Sequence, residues 1–124
     1  FGSEPLSIVK LCGDGSNRVY YRLSDNERSV IGVVGTSVEE NRAFVALSDA
    51  FGKSGIKAPK VLAVSADGFV YLQDDLGDET LFVSMKQSRE CGVFSDADIE
   101  KLCKVLCALP HIQYRVPEHF DFSL

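Results

Sequence analysis

The segment SVIGVV at Ser29–Val34 and the segment SVEENRAFVALSDAFG at residues 37–52 decide the fold. The first is nearly all apolar, with glycine as the one interruption, which is typical of a buried strand. The second repeats large apolar residues at helical spacing, and its Ser37 and Glu40 have the pattern of a capping box at a helix start. A buried strand followed directly by an amphipathic helix predicts an α+β domain.

Four further strands flank this pair in the sequence. Residues 6–11 and 18–23 are rich in β-forming side chains on either side of a glycine-rich loop, and residues 60–64 and 69–73 surround a turn at residues 66–68. Short polar turns between consecutive strands favour antiparallel pairing. The sequence therefore predicts a five-stranded antiparallel sheet, with one helix inserted between the third and fourth strands.

Helical patterns replace strand patterns after residue 74. Residues 80–85 form a short amphipathic segment, and residues 95–109 carry a single apolar stripe. Ser95 and Asp98 have the spacing of a capping box at its start, and Pro110 is expected to end the helix.

These patterns divide the chain into three predicted parts. A sheet domain covers residues 1–73, a hinge covers residues 74–79, and the beginning of a helical domain covers residues 80–124. We expect that helical domain to be truncated, because no closing element follows residue 111.

Composition and charge exclude several classes of partner. The net charge is −5, and acidic and basic residues are interspersed without a Lys/Arg block, so nucleic acid is not an expected partner. No apolar run approaches the roughly 20 residues of a membrane helix, so no membrane partner is expected. The four cysteines lack the spacing of a disulfide framework, which favours free thiols in a reducing cytoplasm.

A glycine-rich loop with the sequence GDGSN, residues 13–17, lies between the first two strands. Glycines such as Gly13 and Gly15 let backbone N–H groups approach a phosphate closely, and Ser16 adds a hydroxyl donor. Loops of this composition are also common as simple hairpin turns. The loop alone leaves both interpretations open.

Glu40 is the most informative charged residue in the first helix. At 3.6 residues per turn it lies on the same stripe as Phe44, Leu47 and Phe51, which predicts a carboxylate directed toward the sheet. A carboxylate on a buried face requires a cation. The alternative is that Glu40 only completes the capping box, and the two interpretations are compatible.

Two other segments carry groups with possible chemistry. The segment YLQDDLG at residues 71–77 runs from a strand into an extended linker, which can present backbone donors and acceptors to the edge of a base such as adenine. Cys103, Cys107 and His111 follow one another at four-residue spacing. Pro110 interrupts the helix before His111 and Cys103 belongs to the apolar stripe, so no metal site is predicted there.

Together these segments resemble the amino-terminal lobe of the aminoglycoside phosphotransferase and choline kinase-like superfamily, which shares the protein kinase architecture. The resemblance rests on GDGSNRVYYRL at residues 13–23, ENRAF at residues 40–44 and YLQDDLGDETL at residues 71–81. LPHIQ at residues 109–113 also fits. Within that superfamily the sequence looks like the bacterial cell-wall amino-sugar kinases and related predicted phosphotransferases.

The resemblance implies a nucleotide site with ATP and Mg²⁺ as cofactors. Glu40 would occupy the position of the family's helix-C glutamate. The magnesium ligands are expected in sequence beyond this chain. The residues implied in nucleotide contacts over the phosphates and at the adenine edge are Gly13, Gly15, Ser16, Asn17, Asp74, Asp75 and Leu76.

One departure from the family concerns the third strand, which often carries a lysine for the α- and β-phosphates. SVIGVV contains no lysine, and Gly32 stands about where the lysine is expected. Arg18 or Arg22 of the second strand would then substitute, or ATP is held differently, or ATP binding is degraded.

The implied function is transfer of the γ-phosphoryl group of ATP to a hydroxyl of a small molecule, a sugar or an amino sugar. This chain would supply nucleotide contacts only and no turnover by itself. The alternative is a kinase-like lobe without phosphoryl transfer that serves as a binding or regulatory module, and the missing lysine favours it. The apolar stripe of residues 95–109 is also expected to permit self-association.

Overall fold

The computed structural model describes residues 5–12 and 17–114, which form an α+β structure. Its five strands make one open, wholly antiparallel sheet with the order β1-β2-β3-β5-β4. The strands are β1 (Ser7–Lys10), β2 (Val19–Ser24), β3 (Ser29–Val34), β4 (Val61–Val64) and β5 (Val70–Asp74). The helices are α1 (Val38–Lys53), α2 (Leu81–Ser84), α3 (Lys86–Cys91) and α4 (Asp96–Tyr114). The predicted sheet and the helix between its third and fourth strands are confirmed.

The chain divides into two compact units, with the boundary between Leu76 and Gly77. The sheet and α1 belong to the first unit, and α2, α3 and α4 belong to the second. The boundary falls within residues 74–79, the segment in which the sequence predicts a hinge.

The core of the first unit lies between the sheet and α1. Ile31 and Val33 of β3 and Tyr71 of β5 are buried, and Val33 pairs with Tyr71 in the strand register. Phe44 of α1 stacks on Tyr71 with 5.1 Å between the ring centroids. Aromatic rings in this geometry contribute about 0.5–1.5 kcal/mol beyond the burial of their area. This stacking fixes the position at which α1 crosses the sheet.

Two buried polar side chains attach α1 to the chain around β4. The Asn41 side-chain Nδ2 donates to the carbonyl oxygens of Gly68 and Phe69 at 2.9 and 3.1 Å. Seven residues later, nearly two helical turns on, the Ser48 hydroxyl donates to the carbonyl of Pro59. The carbonyls of Gly68 and Pro59 lie in a turn and a loop, whereas the Phe69 carbonyl also accepts from the backbone N–H of Gly35 at 2.9 Å. The helix is therefore held by specific polar contacts as well as by apolar packing.

Ser37 caps α1 as predicted, but its acidic partner differs. The Ser37 hydroxyl oxygen accepts from the backbone N–H of Glu40 at 3.2 Å, which confirms the N-cap. The same hydroxyl donates to the carboxylate of Glu39 at 3.0 Å. The carboxylate that contacts the cap is therefore that of Glu39, and Glu40 contributes its backbone.

The predicted capping box at the start of α4 is confirmed. The Asp98 backbone N–H donates to the Ser95 hydroxyl at 3.2 Å, and that hydroxyl donates to the Asp98 carboxylate at 2.7 Å. Ser88 of α3 also donates to the same carboxylate, which is buried. Hydrogen bonds from Ser88 and then from Ser95 lower the pKa of Asp98 below its ordinary value of 3.8.

Helix α4 does not end at Pro110, which corrects the sequence prediction. The helix continues through Pro110 to Tyr114. A proline ring fixes φ at a value that a helix tolerates, so the local loss is one backbone N–H bond and a steric contact with the preceding turn. The later residues re-form the helix beyond it.

The apolar stripe of α4 is exposed within the second unit. Leu106 is 63% exposed, and Ile99 and Leu109 are about half exposed. Self-association through this stripe stays a prediction. Across the described residues, no helix has the length and hydrophobicity needed to cross a membrane.

The attachment of α1 can be tested at Asn41. Replacing Asn41 with alanine removes both hydrogen bonds, so the Gly68 carbonyl loses this donor while the Phe69 carbonyl keeps the Gly35 N–H. We expect the free energy of unfolding to fall by about 2–3 kcal/mol, as measured by urea denaturation. Arg42→Ala on the neighbouring exposed position is the control, with an expected change within about 0.5 kcal/mol. Equal losses for the two variants would show that the Asn41 bonds do not hold the helix.

The cap of α4 predicts a pH dependence. Because the native pKa of Asp98 is lowered, its carboxylate contributes stability above pH 3.8, and this contribution is lost as the pH falls through the native pKa. Asp98→Asn should therefore destabilise the chain at neutral pH, and the difference from the unchanged chain should shrink on acidification. Far-UV circular dichroism during denaturation at several pH values measures this. Asp96→Asn, at an exposed position of the same turn, is the control. A difference that persists at the lowest pH would contradict the assignment.

Candidate functional site

An ion pair holds the chain at the end of β5. The guanidinium of Arg22 on β2 contacts both oxygens of Asp75, with Nε–Oδ2 at 2.6 Å and Nη2–Oδ1 at 2.9 Å. The Ser29 hydroxyl at the start of β3 donates to Asp75 Oδ2 at 2.7 Å. The side chains of Arg22 and Asp75 are only 22% and 7% exposed. A bidentate arginine–carboxylate pair with a third donor is strong and directional, so it fixes Asp75 against two neighbouring strands.

Asp74 is held by hydrogen bonds to Lys60, on the β4 side of the sheet. Its backbone N–H donates to the carbonyl of Lys60 at 3.0 Å, and the Lys60 N–H donates back to the Asp74 carboxylate at 3.0 Å. Leu76 then lies 72% exposed, and Gly77 has φ +85°, a conformation that favours glycine. The linker thus begins with two fixed residues and continues with an exposed one.

This arrangement gives Arg22 and the Asp75 side chain a structural role that the sequence did not predict. Arg22 was one of two candidates for a phosphate contact. The structure pairs its guanidinium with the Asp75 carboxylate, and a contact of Arg22 with phosphate stays a prediction. The linker can still present backbone groups, and it is exposed from Leu76 onward.

Arg18, the other candidate, lies beside the first turn of α1. Its Nη2 donates to the backbone carbonyl of Glu40 at 3.1 Å, and its guanidinium carbon lies 5.4 Å from the centroid of the Phe44 ring. A cation over an aromatic face contributes about 0.5–2 kcal/mol, depending on exposure. The arginine therefore joins the end of the loop at residues 13–17 to the start of the helix.

Glu40 does not face the sheet, which is a second correction. The residue is exposed, whereas the neighbouring Asn41 is buried and bonded to the turn before β5. The buried stripe runs through Asn41, Phe44 and Ser48, so the helix is rotated from the predicted phase. Glu40 meets Arg18 through its carbonyl oxygen.

The third-strand position also differs from the sequence interpretation. Ile31 and Val33 face α1 and are buried, so the residue between them, Gly32, lies on the opposite face. A Cβ atom at Gly32 would meet the side chains of Leu23 and Leu72 on that face, at 3.2 and 3.6 Å. The helix-facing positions of this strand are therefore occupied by apolar residues, and the contact to α1 comes from Arg18.

Two polar atoms on the helix-facing side of β5 are buried without a hydrogen-bond partner among the described residues. They are the Tyr71 hydroxyl and the Gln73 side-chain oxygen, two residues apart on one face. Burial raises the pKa of Tyr71, nearby Arg18 opposes the rise, and Tyr20 adds to it. The phenol therefore stays neutral at physiological pH and can donate or accept a hydrogen bond.

The other predicted ligand residues lie outside the described part of the chain or at the edge of this site. Gly13, Gly15 and Ser16 lie outside the described residues, and Asn17 is exposed next to Arg18. Among residues 5–12 and 17–114, no group of three or more His, Cys, Asp or Glu side chains is arranged to hold a metal.

Two cavities lie elsewhere, along the groove between α1 and β4. Their volumes are about 610 and 430 Å³, and both are lined by Val45 and Asp49. None of the predicted nucleotide-binding residues that the structure describes lines either cavity. The groove is therefore separate from the cluster formed by Arg18, Glu40 and Phe44.

Sequence reasoning missed the roles of Asn41 and of the Arg22–Asp75 pair. The ENRAF motif offered a signal for Asn41, because it places an amide beside the apolar stripe. No protein-family model matches the chain, and no curated protein matches it either.

The ion pair predicts a large effect of removing one partner. Arg22→Met leaves the Asp75 carboxylate buried without its cation, which should cost about 3–5 kcal/mol of unfolding free energy. Arg28→Met is the matched control, because Arg28 pairs with Asp25 across an exposed turn at 3.5 Å. An exposed pair contributes at most about 1 kcal/mol. Similar losses for both variants in urea denaturation would contradict the structural role assigned to Arg22.

Proposed function

We propose that this chain is the nucleotide-binding part of an ATP-dependent phosphotransferase that acts on a small-molecule hydroxyl, a sugar or amino sugar. The observation that supports it best is the order of elements in the first unit. An open antiparallel sheet carries one helix between β3 and β4, and β5 leads directly into a linker fixed at Asp74 and Asp75. Kinase-like enzymes use this order to hold ATP between a glycine-rich loop, a helix-C glutamate and a hinge.

Within this proposal, each residue has a binding task. Backbone N–H groups of the loop at residues 13–17 face the phosphates, and Arg18 supplies the positive charge that a third-strand lysine supplies elsewhere. Arg18 is suited to this task because it directly follows the loop and lies against α1. The backbone from Asp74 to Leu76 meets the adenine edge. In protein kinases the Mg²⁺ ligands and the catalytic base come from the other lobe, so this chain contributes nucleotide contacts only.

A second candidate is a kinase-like lobe that binds a ligand or a regulatory partner without phosphoryl transfer. The apolar residues Ile31 and Val33 at the helix-facing positions of β3 favour it, because no lysine approaches α1 from that strand. The two candidates differ in what they require of Arg18. Only the phosphotransferase requires its guanidinium to contact phosphate.

Titration with ATP tests the proposal on the whole chain. Half of a site should bind weakly, with Kd on the order of 1 mM. A ten-fold excess over Kd stabilises the folded chain by about 1.4 kcal/mol, which is a Tm shift of several degrees for a domain of this size. In ¹H–¹⁵N spectra we expect shift changes at residues 13–18 and at residues 74–76 together.

Arg18→Ala should weaken the response of the loop more than that of the linker, since it removes the phosphate-side cation. Arg28→Ala on the exposed β2–β3 turn is the control and should change neither response. If saturating ATP perturbs neither segment, the phosphotransferase proposal fails and the module without phosphoryl transfer is favoured. If ATP perturbs the loop alone, the loop is an anion site and the adenine assignment is wrong.

A further inference from the structure

The geometry points to Arg22, Ser29 and Asp75 as positioning residues for a bound base. We infer that they hold the linker in the conformation that receives the base of a nucleotide, and that they act without touching the ligand. This inference rests on the proposed function, and it separates the part of the site that determines base affinity from the part that determines phosphate affinity.

The ion pair between Arg22 and Asp75 lies at the start of the linker. Asp75 follows β5 directly, and its carboxylate is held by Arg22 from β2 and by Ser29 from the start of β3. Asp74 is held independently through Lys60. Two successive residues are therefore fixed from both sides of the strand, immediately before the exposed Leu76.

The energy of a buried ion pair also supports a positioning role. A buried ion pair often contributes no more stability than apolar side chains of the same volume, because removing both charges from water is costly. Its particular contribution is geometric, since a bidentate guanidinium fixes the carboxylate in distance and in direction. Such a pair at the start of a linker restricts the backbone that follows it.

Restriction of the linker backbone also affects the affinity for the base. Ordering the backbone of one residue on binding costs about 1–2 kcal/mol. A linker that is ordered before the ligand arrives avoids this cost, which is the general effect of preorganisation. Loosening the pair should therefore weaken binding of the base by about ten-fold. Binding of the phosphates, which the proposed function assigns to Arg18 and the loop, should stay unchanged.

The test compares ATP with inorganic tripolyphosphate on the whole chain. Arg22→Lys keeps the positive charge but replaces the bidentate contact with a single one. Arg28→Lys is the matched control at an exposed arginine. Affinities are measured by calorimetric or spectroscopic titration, and the exchange rate of the Leu76 amide hydrogen is measured without ligand. If Arg22→Lys does not fold, Ser29→Ala replaces it, because this change removes one donor and leaves the ion pair.

We expect Arg22→Lys to weaken ATP about ten-fold, to leave tripolyphosphate within about two-fold and to speed exchange at Leu76. Arg28→Lys should change none of the three. Equal weakening of both ligands, or unchanged ATP affinity with faster exchange, overturns the inference. If the unchanged chain binds tripolyphosphate but not ATP, no base is received and the inference fails while the phosphate contacts remain. If it binds neither, the proposed function itself is overturned, and the inference with it.

Discussion

The packing of Tyr71 against Phe44 is the contact on which the first unit depends. Tyr71 lies on β5, the strand between β3 and β4, and its ring stacks on Phe44 of α1. The same contact therefore holds both the strand β5 and the helix α1 in position. Because β5 also ends at Asp74, the contact determines where the linker begins.

The polar contacts around this core attach two different parts of the first unit to the sheet. Asn41 and Ser48 attach α1 to the β4 side of the sheet, and the Arg22–Asp75 pair attaches the linker to the β2 side. Each satisfies buried polar groups, so each is costly to break. The hydroxyl of Tyr71, which has no hydrogen-bond partner in the described part of the chain, lies on the face between these attachments. The first unit is thus fixed at its two sides.

The sequence predicted elements that depend on local physics. Strand periodicity, the Ser37 cap and the Ser95–Asp98 box need only neighbouring residues, and the structure confirms them. The phase of α1 was wrong because Asn41 finds its acceptors 27 and 28 residues away, beyond any helical pattern. The partner of Arg22 lies 53 residues away and depends on strand order. Pro110 does not end α4, because the loss of one backbone hydrogen bond and the steric contact at the proline ring do not outweigh the rest of the helix.

The central claim is that a nucleotide binds on the helix side of the sheet, between Arg18 and the linker. A structure of the whole chain with a non-hydrolysable ATP analogue tests it most directly. We predict phosphate oxygens within hydrogen-bond distance of the Arg18 guanidinium and the adenine edge at the backbone of residues 74–76. A nucleotide bound instead in the groove between α1 and β4, with Arg18 still on the Glu40 carbonyl, would contradict the claim.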